Sequence, residues 1–225
     1  MSQKAIGIFD SGLGGLTILK ELRRVLPHEN LIYFGDTANV PYGSKSKQTV
    51  TRFSLDIARF LESQGIKMLV VACNTASALA LNELRKQCQV PVLGVIEPGA
   101  QKAAQSTRNG RVAVLGTEAT VKSSAYPKAL LRINPKLKII QQACPLFVPV
   151  VEENWSKTPA ARLIAQTYLS SVLRYRADTV ILGCTHYPVL KSVLACVLGK
   201  QVRLVDSAQT TAQAVQHALQ KNNQA

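Results

Sequence analysis

Two cysteines end two similar apolar segments, one in each half of the chain. Cys73 comes directly after residues 69–72, and Cys184 comes directly after residues 180–183. Ligands of open α/β sheets bind at the carboxyl ends of the strands, so both thiols are expected at such a place. Two thiols on opposite sides of one carbon atom could remove a proton from one face and return a proton to the other. The pair therefore predicts acid–base chemistry at a stereocentre.

The residues after each cysteine indicate how its thiol could ionise. Asn74-Thr75 follows Cys73 and Thr185-His186 follows Cys184, and in both cases a helical pattern comes next. A helix N-terminus or a nearby cation lowers the pKa of a thiol from its usual value of about 8.5. We expect one cysteine to act as a thiolate base while the other stays protonated as the acid. A buried apolar role stays open for either cysteine alone, but is less favoured for two at matching positions.

Asp10 and His186 are the candidate partners of the two thiols. His186 lies two residues after Cys184, where it could tune that thiol or carry its proton. Asp10 follows the first strand-like segment, and we expect it to play the matching part beside Cys73. A histidine on its own more often caps a helix or supports the fold, so the catalytic interpretation depends on the neighbouring cysteine.

Two loops supply further candidates. Glu152 and Glu153 follow the apolar residues 146–151, and we expect a carboxylate there to reach the site. For Glu153, a solvated loop charge is the favoured interpretation. Tyr42-Gly43 lies in a long polar loop and would suit a lid or a substrate clamp.

The first turn is rich in glycine and reads Asp10-Ser11-Gly12-Leu13-Gly14-Gly15-Leu16-Thr17. A dinucleotide site needs Gly-x-Gly-x-x-Gly, and here the third position is Thr17. Asp36 stands at only a loosely suitable distance for a ribose contact. We favour a carboxylate-binding turn, because N–H groups between a strand and a helix approach anions closely. Glycines that only allow close strand–helix packing are compatible with that interpretation.

The net charge of the chain is large, but it does not identify a binding partner. The 225 residues carry a net charge of +14, from 27 Lys and Arg against 13 Asp and Glu. Such a balance favours anions, nucleic acid or an acidic surface. The basic residues form no long run, and no helix-turn-helix or RNA-binding aromatic motif is present. A solvated basic surface is the favoured interpretation, with a nucleic-acid site as the alternative.

Cysteine usage and the N-terminus indicate the cytoplasm. The five cysteines include no Cys-x-x-Cys pair, so neither a disulfide framework nor a metal site is expected. Cys88, Cys144 and Cys196 are expected to be core residues or bystanders. Residues 1–4 lead straight into a strand-like segment, without the apolar region of a signal peptide. No apolar stretch approaches the roughly 20 residues that span a bilayer, so no membrane association is expected.

Strand-like and helix-like segments alternate, which predicts an α/β fold with two similar domains whose mainly parallel sheets face a central cleft. The expected strands are residues 6–9, 31–34, 68–72, 90–95, 111–115, 137–141, 179–182 and 202–205. The expected helices are residues 16–26, 50–64, 75–88, 160–175, 188–197 and 208–221, with a further one opening at Thr117. We expect Glu97-Pro98-Gly99 to break the fourth strand. A boundary near Pro98-Gly99 divides the chain into a first domain of residues 1–97 plus 206–225 and a second of residues 98–205.

With these residues identified, the sequence resembles the glutamate racemase group of the aspartate/glutamate racemase family over nearly its whole length. Six segments carry the resemblance in the same order: Phe9-Asp10-Ser11-Gly12-Leu13-Gly14-Gly15, Asp36-Thr37-Ala38-Asn39-Val40-Pro41-Tyr42-Gly43, Ala72-Cys73-Asn74-Thr75-Ala76, Gly94-Val95-Ile96-Glu97-Pro98-Gly99, Pro145-Leu146-Phe147-Val148-Pro149 and Leu182-Gly183-Cys184-Thr185-His186-Tyr187-Pro188. Any one of them could be chance, but all six in order are hard to explain otherwise.

The resemblance implies a two-base, cofactor-independent racemase that converts L-glutamate to D-glutamate for peptidoglycan synthesis. Its implied catalytic residues are Cys73 and Cys184 as alternating acid and base, Asp10, His186, Glu152 and Asp36. Its implied substrate-binding residues are Asp10, Ser11, Tyr42, Gly43, Asn74, Thr75, Thr185 and His186. The family also implies a homodimer. Its members usually continue past residue 208, so the first domain is expected to be short at its C-terminal part.

No cofactor is expected, because the sequence shows no phosphate cup with a Schiff-base lysine of the kind that pyridoxal phosphate needs. Two alternatives stay open. The first is a related enzyme that acts on aspartate or another acid. The second is a binding protein for nucleic acid or for DNA gyrase, a partner that the family resemblance suggests but that we favour less.

Overall fold

Eight strands form two parallel sheets in the computed structural model, which describes residues 4–221. The first sheet has the order β2-β1-β3-β4, with β1 (Ile6–Asp10), β2 (Leu31–Gly35), β3 (Met68–Val71) and β4 (Val92–Gly94). The second has the order β6-β5-β7-β8, with β5 (Arg111–Gly116), β6 (Lys138–Ala143), β7 (Thr179–Gly183) and β8 (Arg203–Asp206). The prediction of an α/β fold with two similar parallel sheets is confirmed.

Helices connect the strands in both halves. In the first half they are α1 (Leu16–Val25), α2 (Lys47–Ser63), α3 (Asn74–Leu79), α4 (Leu81–Gln87) and α5 (Ile96–Ser106). In the second they are α6 (Glu118–Ser123), α7 (Ala125–Ile133), α8 (Phe147–Glu152), α9 (Pro159–Tyr175), α10 (Lys191–Leu198) and α11 (Ser207–Lys221). Short 3-10 turns cover Tyr42–Ser44 and Tyr187–Leu190.

The two sheets repeat one strand order, and this repetition places the cysteines. Strands β1 and β3 are neighbours in the first sheet, as β5 and β7 are in the second. All residues of β1, β3 and β7 are buried, which explains why they read as continuous apolar segments. Cys73 and Cys184 therefore follow equivalent central strands, at the carboxyl end of each sheet.

One local prediction needs correction, and three helices were not predicted. Residues 75–88 do not form one helix, since α3 and α4 are separated at Ala80. Strand β4 ends at Gly94, before Glu97-Pro98-Gly99, and Pro98 lies in the first turn of α5, a helix that was not predicted. A proline is tolerated there, since the first N–H groups of a helix have no partner within it. Helices α7 and α8 were not predicted. By contrast Gly65 does follow the end of α2, with the φ of 74° that favours glycine.

The core joins the two sheets. One cluster of buried side chains combines Ile6, Ile8, Met68 and Val70 of the first sheet with Val112, Val114, Ile181 and Val205 of the second. Helix α11 packs on α1 and α5, and Gln216 Nε2 donates to the Val25 carbonyl over 3.3 Å. The proposed domain boundary at residues 97 and 98 falls in the first turn of α5, and the division into domains stays a prediction. Residues 1–3 and 222–225 of the predicted first domain lie outside the residues that the structure describes.

Within residues 4–221, no helix combines the length and the apolar character that crossing a membrane requires.

Candidate active site

Asp10 is a fully buried carboxylate at the end of β1. Its Oδ2 accepts hydrogen bonds from the N–H groups of Gly15 (2.9 Å) and Gly12 (3.2 Å). A Cβ at Gly15 would stand 2.5 Å from the Asp10 Cβ, so the close approach requires glycine. Burial raises the pKa of Asp10, while the Gly15 N–H and the charge of His186 act in the opposite direction. The glycine-rich turn thus binds a carboxylate of its own chain through these two N–H groups.

Cys73 lies two residues after β3 and caps α3. The Ala76 N–H donates to its Sγ over 3.4 Å, and the side chain is 4% exposed. Burial, followed by the negative charge of Asp10, raises the pKa of Cys73 to about 11, although the Ala76 N–H and Ser11 lower it. The helix N-terminus therefore acts in the expected direction, but burial outweighs it in the free site.

Cys184 directly follows β7 and is 6% exposed. Its Sγ lies 3.7 Å from Nδ1 of His186. Burial raises the pKa of Cys184, and the charges of Asp10 and Cys73 raise it further. Burial and the charge of Asp10 thus act on the pKa values of both thiols in the same direction.

His186 connects Cys184 to a carboxylate. Its Nε2 lies 3.2 Å from Oε1 of Glu152, the last residue of α8. The His186 side chain is 6% exposed and that of Glu152 is 46% exposed, so the chain of contacts runs from the buried thiol towards solvent. Glu153, in contrast, is an exposed C-cap residue of α8, in agreement with its expected place in a loop.

The two halves meet at the first turn. Thr185 Oγ1 donates to Oδ1 of Asp10 over 3.3 Å. A Cβ at Gly14 would stand 2.5 Å from that same Thr185 oxygen and 2.8 Å from Nδ1 of His186. Residues of the first sheet thus contact the segment that follows Cys184, and the structure brings Asp10, Cys184 and His186 together.

Asp36 supports the loop that carries Tyr42. Its carboxylate accepts hydrogen bonds from the Tyr42 hydroxyl (2.6 Å) and from Asn39 Nδ2 (2.9 Å). Burial raises the pKa of Tyr42, with further contributions from Asp36, Cys73 and Asp10. This loop therefore lies beside the first thiol, and Asp36 contacts the loop through its carboxylate.

Three threonine hydroxyls meet between the halves. Thr75 Oγ1 lies 3.0 Å from that of Thr117 and 3.4 Å from that of Thr120. A Cβ at Gly43 would stand 2.7 Å from the Thr117 Cβ, so the Tyr42-Gly43 loop packs on the same cluster. Sequence reasoning did not select Thr117 and Thr120 as site residues. The sequence did contain a signal for Thr117. It directly follows β5, a place equivalent to that of Asp10 at the end of β1.

Two tyrosines were also missed. The Tyr33 hydroxyl donates to the Gly12 carbonyl over 2.7 Å and so supports the first turn. The Tyr126 hydroxyl donates to Oδ1 of Asn74 over 2.7 Å. Neither lies in a segment with a chemical signature, and only the tertiary contacts reveal them.

The remaining features lie away from the thiols. A groove of about 1250 Å³ runs between α2, α4 and α7, and neither thiol lines it. No cluster of three His, Cys, Asp or Glu side chains that could hold a metal ion occurs in residues 4–221. The site itself contains two buried thiols with a carboxylate and a histidine nearby.

Comparison with known proteins identifies the family. Residues 16–215 match the profile of the Asp/Glu/Hydantoin racemase family. A glutamate racemase of Geobacter metallireducens is 59% identical over 219 residues, which cover 97% of this chain and 81% of that protein.

Two solved structures are similar throughout. A glutamate racemase from Bacillus anthracis has a TM-score of 0.96 at 40% identity, covering 98% of this chain and 83% of that one. A glutamate racemase from Francisella tularensis, solved with D-glutamate, has a TM-score of 0.94 at 37% identity, covering 100% of this chain and 84% of that one. The chain therefore belongs to the Asp/Glu/Hydantoin racemase family of amino-acid racemases, within its glutamate racemase group.

Proposed function

We propose that this protein interconverts L- and D-glutamate without a cofactor, with Cys73 and Cys184 as the two acid–base groups. One observation carries the proposal most directly: the thiols follow equivalent strands of two repeated sheets, and each has an ionisable partner from the expected set. The names of the similar proteins, including one solved with D-glutamate, support glutamate as the substrate.

In the proposed reaction, the α-carbon of glutamate lies between the two sulfur atoms. The thiolate of one cysteine takes the α-proton and becomes a thiol, which leaves a carbanion. The other cysteine gives its proton to the opposite face and becomes a thiolate. Atoms and charges balance, and the reverse reaction exchanges the two roles.

The raised pKa values indicate what the substrate itself must contribute. Burial and the Asp10 charge keep Cys73 protonated in the free site, with a pKa of about 11. The α-ammonium group of glutamate brings a positive charge that favours a thiolate beside it. We assign Asp10 the role of assisting Cys73, and His186, with Glu152, that of assisting Cys184.

A closed site is needed to stabilise the carbanion. Both thiols are almost completely shielded from solvent, and electrostatic interactions are stronger where water is excluded. We propose that the substrate carboxylates bind among Ser11, the Tyr42-Gly43 loop, the amide of Asn74 and the hydroxyls of Thr75 and Thr185. The nearby Thr117 and Thr120 hydroxyls extend that set. Asp36 would act by holding Tyr42 in place.

The finer biological setting is part of the proposal. The family resemblance implies that the D-glutamate is supplied for peptidoglycan synthesis in the cytoplasm. We propose that role and location for this chain, together with the homodimer that its family resemblance implies.

Deuterium exchange at the α-carbon tests the proposal. The purified protein should exchange the α-hydrogen of glutamate with deuterated solvent and interconvert both enantiomers. Cys73→Ser and Cys184→Ser should each lower racemisation by at least about 100-fold, the scale of a lost acid–base group. Cys196→Ser, at an exposed cysteine, is the matched control and should keep full activity. Full activity in both site variants would refute the assignment, and competing L-aspartate in the same assay separates the two substrates.

A further inference from the structure

Tyr126 contacts both cysteine-bearing strand ends although it is neither acid nor base in the proposed reaction. It lies in the first turn of α7 and is fully buried. Its hydroxyl donates a 2.7 Å hydrogen bond to Oδ1 of Asn74, the residue after Cys73. The contact therefore reaches from the second half of the chain into the first, next to a thiol.

The Asn74 amide has one satisfied end and one unsatisfied end. Its Oδ1 accepts the bond from Tyr126, whereas its buried Nδ2 has no acceptor among the described residues. A buried polar group without a partner is costly, so such a group indicates a missing ligand. A substrate carboxylate would be a suitable acceptor, and Asn74, the residue directly after Cys73, is 2% exposed.

The place of the Tyr126 ring is closely determined. A Cβ at Gly183 would stand 3.0 Å from its Cε2, and Gly183 directly precedes Cys184. On another side, a Cβ at Gly99 of α5 would stand 3.4 Å from the ring and its oxygen. Burial raises the pKa of Tyr126, as do the charges of Cys184 and Glu97, so the hydroxyl keeps its proton and remains a donor.

We propose that Tyr126 is a positioning residue whose hydroxyl holds the Asn74 amide with its NH₂ group turned towards the substrate carboxylate. This inference rests on the proposed function, since it needs a carboxylate in the site. In the observed arrangement the hydroxyl donates to the amide oxygen, which leaves the NH₂ group for the substrate. Without that bond, the amide also presents its oxygen, which repels an anion.

Steady-state kinetics of Tyr126→Phe test this role. The contact acts on substrate and transition state alike, so KM for glutamate should rise about 5- to 10-fold with kcat changed less than about twofold, the scale of one hydrogen bond. In an Asn74→Ala background, the Tyr126→Phe substitution should cause no further rise in KM. Tyr175→Phe, on α9, removes a hydroxyl elsewhere and should leave both constants unchanged. Equal losses in both backgrounds, with a lower melting temperature, would show that Tyr126 only packs the core.

A second measurement does not depend on catalysis. The side-chain ¹⁵N–¹H₂ signals of Asn74, assigned by their loss in Asn74→Ala, should shift or broaden in glutamate-free Tyr126→Phe and stay unchanged in Tyr175→Phe. Unchanged signals in Tyr126→Phe would overturn the inference even if the wild-type protein racemises glutamate. Shifted signals in a protein that does not act on glutamate would instead remove the proposed function and leave the orientation of the amide standing.

Discussion

At the scale of single residues, the site brings together acidic groups that disfavour one another's ionisation. Asp10 is buried, and its pKa is raised by that burial despite two N–H donors and the charge of His186. The carboxylate in turn raises the pKa values of both thiols. Three acids thus share one water-poor region, where the cation of a bound substrate would have its largest effect.

Asp10→Asn should raise the melting temperature and lower the racemisation rate. The folded-state pKa of Asp10 is above its ordinary value of 3.8, so its protonation stabilises the fold at low pH and that contribution is lost as pH rises through the folded pKa. The uncharged amide should therefore raise the melting temperature most at pH 7, by about 2–4 °C per kcal/mol, and least below pH 4. Thermal unfolding from pH 4 to pH 8 measures this difference, and racemisation should fall.

Asp178→Asn is the matched control, because the pKa of Asp178 is lowered whereas that of Asp10 is raised. Partial burial raises the pKa of Asp178, but hydrogen bonds from Thr107 and from the N–H groups of Asn109 and Arg108 outweigh it and lower the pKa. Its contribution to stability is present at pH 7 and lost as pH falls, so this variant should melt earlier at pH 7. The same pH dependence in both variants would contradict the assigned directions.

Glu152→Gln should weaken the support of Cys184. The Glu152 carboxylate lies 3.2 Å from Nε2 of His186, and the amide of the variant replaces a charge-assisted contact with a neutral one. We expect kcat/KM to fall about 10-fold, the scale of a lost charge-assisted hydrogen bond, and to fall equally for both enantiomers because their equilibrium constant is one. Circular dichroism of the glutamate solution follows the rate. Glu153→Gln, at the exposed neighbour, should behave as wild type, and equal effects in the two variants would exclude a specific role.

At the scale of elements, close backbone approach decides how the strand ends meet. Gly183 ends β7 where a Cβ would stand 2.7 Å from the Leu115 carbonyl of β5 and 3.0 Å from the Tyr126 ring. Backbone of a central strand cannot move aside easily, so this position requires glycine. Gly99, which faces the other side of the same ring from α5, leaves ordinary contact distance for a methyl group.

Gly183→Ala and Gly99→Ala therefore form a matched pair. Gly183→Ala should lower the melting temperature and the racemisation rate together, because β5 and β7 must separate beside Cys184. Gly99→Ala should be neutral or stabilise the protein by up to about 1 kcal/mol, the usual gain from replacing glycine within a helix. Thermal unfolding and the racemisation assay measure both. A stable, fully active Gly183→Ala would show that the strand ends have more room than the structure gives them.

Element boundaries show how far local patterns reach. The eight strands were predicted at or within two residues of their ends because buried parallel strands read as short apolar segments between turns. Helix α5 was missed because Pro98 reads as a breaker unless its position in the first turn is known. Helices α7 and α8 are short, and α7 begins directly after α6 at Ser124, whose φ of 55° no sequence signal indicated.

At the scale of the whole molecule, the meeting of the two sheets shields the thiols. Cys73 and Cys184 are buried, whereas Cys196 on α10 is exposed. The hydrogen bond from Thr185 Oγ1 to Oδ1 of Asp10 lies where the two halves meet, beside Cys184. The chain carries a net charge of +14, and binding to nucleic acid or to DNA gyrase remains the less favoured alternative.

Alkylation by iodoacetamide measures the shielding. At pH 8, Cys196 should react first, while Cys73 and Cys184 should be at least about 10-fold slower because each is buried and its pKa is raised. The rate at Cys73 should rise with pH towards its pKa of about 11, and all cysteines should react in denaturant. Peptide mass spectrometry assigns each site. Modification of Cys184 as fast as Cys196 in the native protein would mean that the site stands open.

The sequence by itself determined the strands, the glycine-rich turn and the placement of two cysteines at carboxyl strand ends. These features depend on apolar spacing and on residue types that are neighbours along the chain. Only the tertiary structure decided that Tyr126 bonds Asn74, that Thr75 meets Thr117 and Thr120, and that the pKa values of both thiols are raised. Burial and charge add up over segments far apart in sequence, so no local pattern contains them.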